Sequence, residues 1–131
     1  MSTAMRAGEI LFEVTLPPSD RAQLKAFSDG TQDPNPIHVD ETFAKAAGFP
    51  TVLQQGPMTT AQFARLLEEH AGAGRLSLID VFFTAPVFPG ESLVLKAEVT
   101  DVDEVIRCTL AAHKTDGTQT AKGIAELRRA Q

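Results

Sequence analysis

From Leu76 onward the chain leaves little choice of architecture. Leu76 to Phe88, Ser92 to Val102, Glu104 to His113 and Thr118 to Leu127 are each rich in β-branched or aromatic residues and each predict a strand. Pro89-Gly90, Asp101 to Asp103 and Asp116-Gly117 separate them with turn formers. Consecutive strands joined by tight turns pair antiparallel, so this half of the chain predicts a meander. The segment just before it supplies a helix for the sheet to cover. Pro57 is favoured at a first helical position, and Gly72 and Gly74 end the run after about Ala71. Met58, Ala61, Phe63, Ala64, Leu66, Leu67 and Ala71 spread over well over half the helix circumference, which predicts a mostly buried helix. The expected fold class is α+β, with a curved antiparallel sheet wrapped around a central helix.

The first half predicts smaller elements. Glu9 to Leu16 alternates loosely as a first strand, ended by Pro17, Pro18 and Ser19. Ser19 or Asp20 can cap a helix to about Ser28, with Leu24 and Phe27 on one face and Asp29-Gly30 as its stop. Thr31 to His38 reads as a loop. Asp40 can cap a short helix containing Phe43, Ala44 and Ala47, closed by Gly48, and Phe49 to Gly56 reads as a second loop. Residues 1–8 lack the apolar core of a signal peptide and read as a loose leader. The 131 residues suit a single domain over the whole chain, 1–131, large enough to fold without a disulfide or a metal.

Charge and composition exclude several classes. Twelve Lys and Arg against 17 Asp and Glu give a net charge of −5, the wrong sign for a nucleic-acid groove or an anionic membrane surface. No apolar run approaches the ~18 residues that would cross a bilayer. Cys108 is the one cysteine, so no internal disulfide can form, and a reducing cytoplasmic setting fits. It reads as a small strand residue rather than a nucleophile. His38, His70 and His113 show no metal-ligand spacing, and there is no glycine-rich phosphate loop. His70 falls in the last turn of the long helix, where a cation is favoured, His113 in a strand near a turn, and Asp101, Asp103 and Glu104 in a solvated turn.

Asp33-Pro34-Asn35-Pro36-Ile37-His38 is the segment that can carry chemistry. Asp33 and Asn35 each precede a proline, which drives them out of the helical region, and the prolines fix their own φ. The loop is stiff, and stiffness is what an acid–base pair needs. A histidine of ordinary pKa ~6.5 can give and take protons near neutrality, while a carboxylate holds a water or orients the ring. Ile37, between them, is expected to pack inward. Such a hexapeptide can equally be a turn followed by a helix cap.

The wider context resembles the signature of the MaoC-like (R)-specific enoyl-CoA hydratases, the hydratase 2 family. Phe27, Thr31, Gln32, Asp33, Pro34, Asn35-Pro36-Ile37-His38, Val39 and Asp40 follow the family order of aromatic, Ser/Thr, Gly, Asp, any, Asn-Pro-Ile-His, any, Asp. Phe43-Ala44, Gly48-Phe49 and Gln54-Gln55-Gly56-Pro57 stand where the family has Phe-Ala, Gly-Phe and Ala-His-Gly-Met. Phe83 through Pro86-Val87-Phe88-Pro89-Gly90-Glu91 is similar to its Phe…Pro-Val…Pro-Gly-Asp element. The likeness covers about three quarters of the chain. Gln32 departs from the family glycine, Gln55 from a frequent histidine, and Pro57 lacks an N–H.

The resemblance implies a hot-dog fold with Pro57 to Ala71 as the central helix. It also implies reversible addition of water to a trans-2-enoyl thioester, on CoA or an acyl carrier, giving the (R)-3-hydroxyacyl thioester. Asp33 and His38 would activate the water, and the backbone N–H of Gly56, with a contribution from Met58, would hold the thioester oxygen. Asn35 would fix the loop or the water, and Gln55 would face the substrate. No cofactor is implied. Phe43, Phe49, Leu53, Met58 and Phe63 are candidate acyl-pocket residues that are equally ordinary core. The family further implies a dimer, either of identical chains or with a related hot-dog chain. Two other functions remain open at this point: a hot-dog acyl thioesterase, and a non-catalytic or partner-dependent subunit of a heteromeric hydratase.

Overall fold

Alternating burial along three long strands sets the architecture. A computed structural model of the chain describes residues 5–32 and 35–129. Leu93, Leu95, Ala97 and Val99 point inward from β3 (Leu93–Val102). Ile106, Cys108, Leu110 and Ala112 do so from β4 (Val105–Lys114), and Ala121, Ala125 and Leu127 from β5 (Gln119–Arg128). This period-two pattern gives the sheet one apolar face. The face packs on α3 (Gly56–Ala71) through Phe63, Leu66, Leu67 and Ala71, which join the same core cluster.

The sheet order is β1-β3-β4-β5-β2, every pair antiparallel, with β1 (Ile10–Thr15) beside β3 and β2 (Leu76–Phe83) beside β5. Register breaks in all four ladders, at Ile10/Phe12, Leu76/Leu78, Val99/Asp101 and Ala112/His113, bend the strands around the helix.

Several expectations are corrected. The meander holds only for β3, β4 and β5, because β2 crosses to the far edge instead of pairing with β3, whose other side belongs to β1. β2 ends at Phe83 rather than Phe88, and residues 84–92 leave the sheet. Pro86 and Pro89 carry no N–H for a ladder there. Helix α1 (Arg21–Thr31) runs through Asp29-Gly30 and is closed two residues later at Gln32, which adopts the left-handed conformation at φ 55°. Asp29 is held within the helix by Lys25 at 2.8 Å, one turn back. The start of α1 is a full capping box, with Asp20 and Gln23 each accepting from the other's backbone N–H. Residues 5–8 are not loose: Gly8 N–H donates to the Val99 carbonyl at 2.7 Å, and Met5 packs on the core. Residues 1–4 lie outside the described residues.

Helix α3 buries a single stripe, Thr59, Phe63, Leu66, Leu67 and Ala71, while Ala61 is exposed and Met58 and Ala64 are half-buried. The broad apolar arc therefore overstated its burial within one chain. His70 is exposed in the last turn and sets its ring against Phe12, with centroids 5.2 Å apart. The end of α3 is instead held by Arg75, whose Nη1 donates to the Ala71 carbonyl at 2.8 Å. His113 is half-buried, and Asp101, Asp103 and Glu104 are exposed as expected. A second, smaller cluster of Leu24, Ala44 and Val52, with Phe49 and Met58 against it, fixes α1 and α2 (Glu41–Ala46) to the loops beside the sheet. No helix of the described residues is long and apolar enough to cross a membrane.

Cys108 sits on the inner face of β4, and burial pushes its thiol from 9.0 up to about 11. The thiolate is the reactive form, so at pH 8 the folded protein resists iodoacetamide and the denatured chain reacts promptly. The folded state holds this proton more tightly than the unfolded chain, so the stability it contributes is complete below pH 9.0 and is lost as the pH rises toward 11. Alkylation followed by mass spectrometry checks the first point. Rapid labelling of native protein would show that β4 opens at Cys108.

Candidate active site

His38 reaches its place through a short, well-anchored turn. Pro36–His38 forms one 3₁₀ turn, and Asn35 caps it by accepting from Ile37 N–H at 3.2 Å. Val39 and Asp40 N–H both close on the Pro36 carbonyl, at 3.1 and 2.8 Å. Asp40 then caps α2 through Phe43 N–H at 3.0 Å, as the sequence predicts. Asn35 thus caps the turn that carries His38, and Ile37 is half-buried.

Residues 53–54 stitch this turn to the far side of the site. Leu53 N–H donates to the Ile37 carbonyl at 3.2 Å, and Gln54 N–H donates to the Val87 carbonyl at 2.8 Å. His38 Nδ1 lies 2.7 Å from the Leu53 carbonyl oxygen, and His38 is 8% exposed. A carbonyl oxygen can only accept, so Nδ1 carries the proton. In the neutral ring Nε2 is then the nitrogen with the lone pair.

The walls meet around a cavity of about 390 Å³. His38, Gln54, Gln55, Gly56, Thr59 and Thr120 bring polar groups to it. Phe49, Leu53, Phe83, Ala85, Pro86 and Val87 supply apolar surface, with Thr84 beside them. An apolar pocket with a few convergent polar groups is the usual form of a small-molecule site. The wall from β2 is held by Thr84 N–H, which donates to the Thr120 carbonyl at 2.8 Å. The turn beyond it is locked by Glu91, whose Oε1 accepts from Phe88 N–H at 2.8 Å and pairs with Lys114 at 2.9 Å.

Gly56 opens α3 at this cavity. Its N–H belongs to the first turn, where helical donors have no intrahelical acceptor, and the helix dipole there favours negative charge. A Cβ on Gly56 would come 2.7 Å from the Phe83 ring, so glycine lets that half-exposed ring lie over the helix start. Gln55 precedes it, 3% exposed. Its Oε1 lies 3.1 Å from Thr31 Oγ1, and its Nε2 has no hydrogen-bond partner among the described residues.

Of the residues singled out in the sequence, His38, Gln55 and Gly56 are brought to one cavity. Met58 is not. Its side chain packs with the Leu24 cluster, and its N–H donates to the Gln55 carbonyl at 3.1 Å. Asn35 is exposed and is not among the residues that line the cavity. Asp33 lies outside the described residues. Among the acyl-pocket candidates, Phe49 and Leu53 line the cavity, Phe63 is core, and Phe43 is exposed on α2. Sequence reasoning missed Gln54, Thr59 and Thr120. Thr59 interrupts the apolar stripe of α3, which was the available signal, whereas Thr120 is buried at the register break of β5 opposite Ala112 and His113, which nothing local in the sequence marks.

The model of the MaoC like domain matches residues 5–121. A peroxisomal hydratase-dehydrogenase-epimerase of Saccharomyces cerevisiae is 45% identical over 65 residues, 50% of this chain and 7% of that protein. An (R)-specific enoyl-CoA hydratase of Aeromonas caviae is 32% identical over 85 residues, 63% of each chain. The chain thus spans less than two thirds of either relative. The solved (R)-hydratase from A. caviae involved in PHA biosynthesis superposes with a TM-score of 0.89 at 22% identity, covering 98% of this chain and 100% of that one. The ChsH1-ChsH2 complex from Mycobacterium tuberculosis gives 0.87 at 22% identity, over 97% and 100%. These likenesses carry the hot-dog fold, and the match over residues 5–121 decides the family: the chain belongs to the MaoC like domain family.

Proposed function

We propose that this protein catalyses the reversible hydration of trans-2-enoyl thioesters, on CoA or an acyl carrier, to (R)-3-hydroxyacyl thioesters. The observation that carries this reading is the 2.7 Å contact of His38 Nδ1 with the Leu53 carbonyl, in the cavity where Gly56 opens α3. It leaves the basic nitrogen of a neutral ring as Nε2, opposite the pinned edge. Water attacks C3 while Nε2 takes one of its protons. The C2–C3 π pair moves toward C1, and charge develops on the thioester oxygen, where the Gly56 N–H and the helix dipole stabilise it. Collapse of that enolate as Nε2 passes the proton it took to C2 completes the addition and returns the ring to its neutral form. Asp33, carried over from the family signature, orients the water, and Gln55 Nε2, which has no partner among the described residues, is reserved for a ligand acceptor. The reaction adds the elements of water without net electron transfer, so the proposed chemistry uses no redox cofactor.

We further propose that the working form is a dimer in the cytoplasm, of identical chains or with a related hot-dog chain. Edge strand β2 supports this, since Leu78 and Phe82 are exposed on it beside Ile124 of β5. An uncovered apolar edge is a liability that pairing removes.

Hydration in ¹⁸O-labelled water tests the reading. The label is expected at the C3 hydroxyl of an (R)-product. Label in a free carboxylate, with thiol released, would assign a thioesterase instead.

Gly56→Ala gives a sharper check. The new methyl meets a half-exposed side chain that can swing aside, so stability changes by under about 1 kcal/mol. The displaced Phe83 ring and the crowded N–H are expected to lower hydration by about 10²-fold. Calorimetry and initial rates on the same sample separate the two effects. Unaltered hydration would remove Gly56 from the site.

A further inference from the structure

Three buried side chains form a hydrogen-bonded chain whose direction is set by chemistry. Ser19 Oγ donates to Gln54 Oε1 at 3.4 Å, and Gln54 Nε2 donates to Thr59 Oγ1 at 2.8 Å. An amide nitrogen only donates, so Thr59 Oγ1 must accept. Its own proton is therefore turned away from Gln54, and no described residue accepts it. Gln54 cannot drift, because its N–H is tied to the Val87 carbonyl at 2.8 Å. Thr59 is 3% exposed and lines the cavity. It stands three residues after Gly56, so both face the same side of the first turns of α3. A buried hydroxyl at the cavity wall with a directed, unused proton is a donor held ready for a ligand.

We infer that Thr59 Oγ1 donates a second hydrogen bond to the carbonyl oxygen of the bound thioester, beside the Gly56 N–H. Ser19 and Gln54 are positioning residues that fix the direction of that bond. The inference rests on the hydratase reading. As water adds at C3, the oxygen at C1 gains charge, and a donor already turned toward it acts most strongly at that stage. The carbonyl oxygen has two lone pairs and accommodates both donors. The polarity of the chain, rather than its presence, is what matters.

The test compares Thr59→Val, Thr59→Ser and Gln54→Glu in steady-state hydration of a trans-2-enoyl-CoA, with calorimetric binding of a saturated acyl-CoA beside it. Thr59→Val is expected to lower kcat by about 10²-fold and to change KM far less, as for removal of one oxyanion donor. Thr59→Ser keeps the hydroxyl and is expected to restore the rate. Gln54→Glu replaces the donor with a carboxylate, which takes the Thr59 proton for itself and is expected to lower kcat as Thr59→Val does. That variant also carries the test should Thr59→Val fail to fold. A parent that hydrates, with Thr59→Val or Gln54→Glu equally fast, would overturn the Thr59 assignment alone. Failure of Thr59→Ser to rescue would make the residue structural and overturn it too. A folded parent that binds the saturated ligand without hydrating the unsaturated one would overturn the hydratase reading, and with it this inference.

Discussion

His38→Gln is expected to lower the hydration rate by about 10³-fold while leaving the fold intact. The glutamine is chosen because its amide can still donate to the Leu53 carbonyl, the 2.7 Å contact that His38 Nδ1 makes. Without a donor there, a buried carbonyl would be left unpaired at a cost of about 1–3 kcal/mol, and lost activity could be blamed on a loosened loop. With glutamine, the anchor is kept and only the basic nitrogen is removed. A melting temperature within a few degrees of the parent, together with lost turnover, separates chemistry from structure. Full activity in this variant would exclude His38 as the proton carrier.

The largest structural effect is expected from Gly123→Ala. On β5, Gly123 faces Val81 of β2, and a Cβ there would collide with the Asp80 carbonyl oxygen and lie 2.9 Å from the Val81 Cα. Both are backbone atoms of a paired strand and have nowhere to go. This is the opposite of Gly56, where the obstacle is a ring that can move. The β2–β5 ladder must separate, at a cost of about 3 kcal/mol or more. The same ladder carries Phe83 and Thr84 to the cavity wall opposite Thr120, so activity should fall with stability. Urea unfolding measures the change, and a shift under about 1 kcal/mol would mean the strand gives more than its geometry allows.

Much of this was legible in the residues. The period-two burial of β3, β4 and β5 follows directly from their β-branched and aliphatic alternation, and the turn at Asp116-Gly117 falls where the sequence places it, with Gly117 at φ 94°. Asp40 and Asp20 cap the helices that they precede. What the sequence did not disclose is long-range. Nothing local in Leu76–Phe83 says that it pairs with β5 rather than β3, because strand partners are chosen by the whole sheet. The stop expected at Asp29-Gly30 yielded to a one-turn ion pair and to the Thr31 hydroxyl, which reaches back to the Phe27 carbonyl at 2.8 Å.

The site divides in the same way. His38 and Gly56 stand out because their residue types suit the chemistry and lie beside stiffening prolines. Gln54, Thr59 and Thr120 are common polar residues whose meaning appears only when the loop before α3, the helix itself and β5 converge on one cavity. Met58 shows the reverse. Its proximity to Gly56 in sequence suggested a second donor, but the first turn of the helix uses its N–H on the Gln55 carbonyl. Thr59, one residue further along, is the group left with a proton to give.

The central claim is that this cavity adds water to a conjugated thioester. The most direct measurement follows the enoyl absorbance of trans-2-enoyl-CoAs, from short to long, on mixing with the purified protein, while free thiol is monitored in parallel. Loss of the conjugated absorbance with the thioester intact is expected. Thiol release without hydration, or no reaction at any chain length by a folded protein, would contradict it.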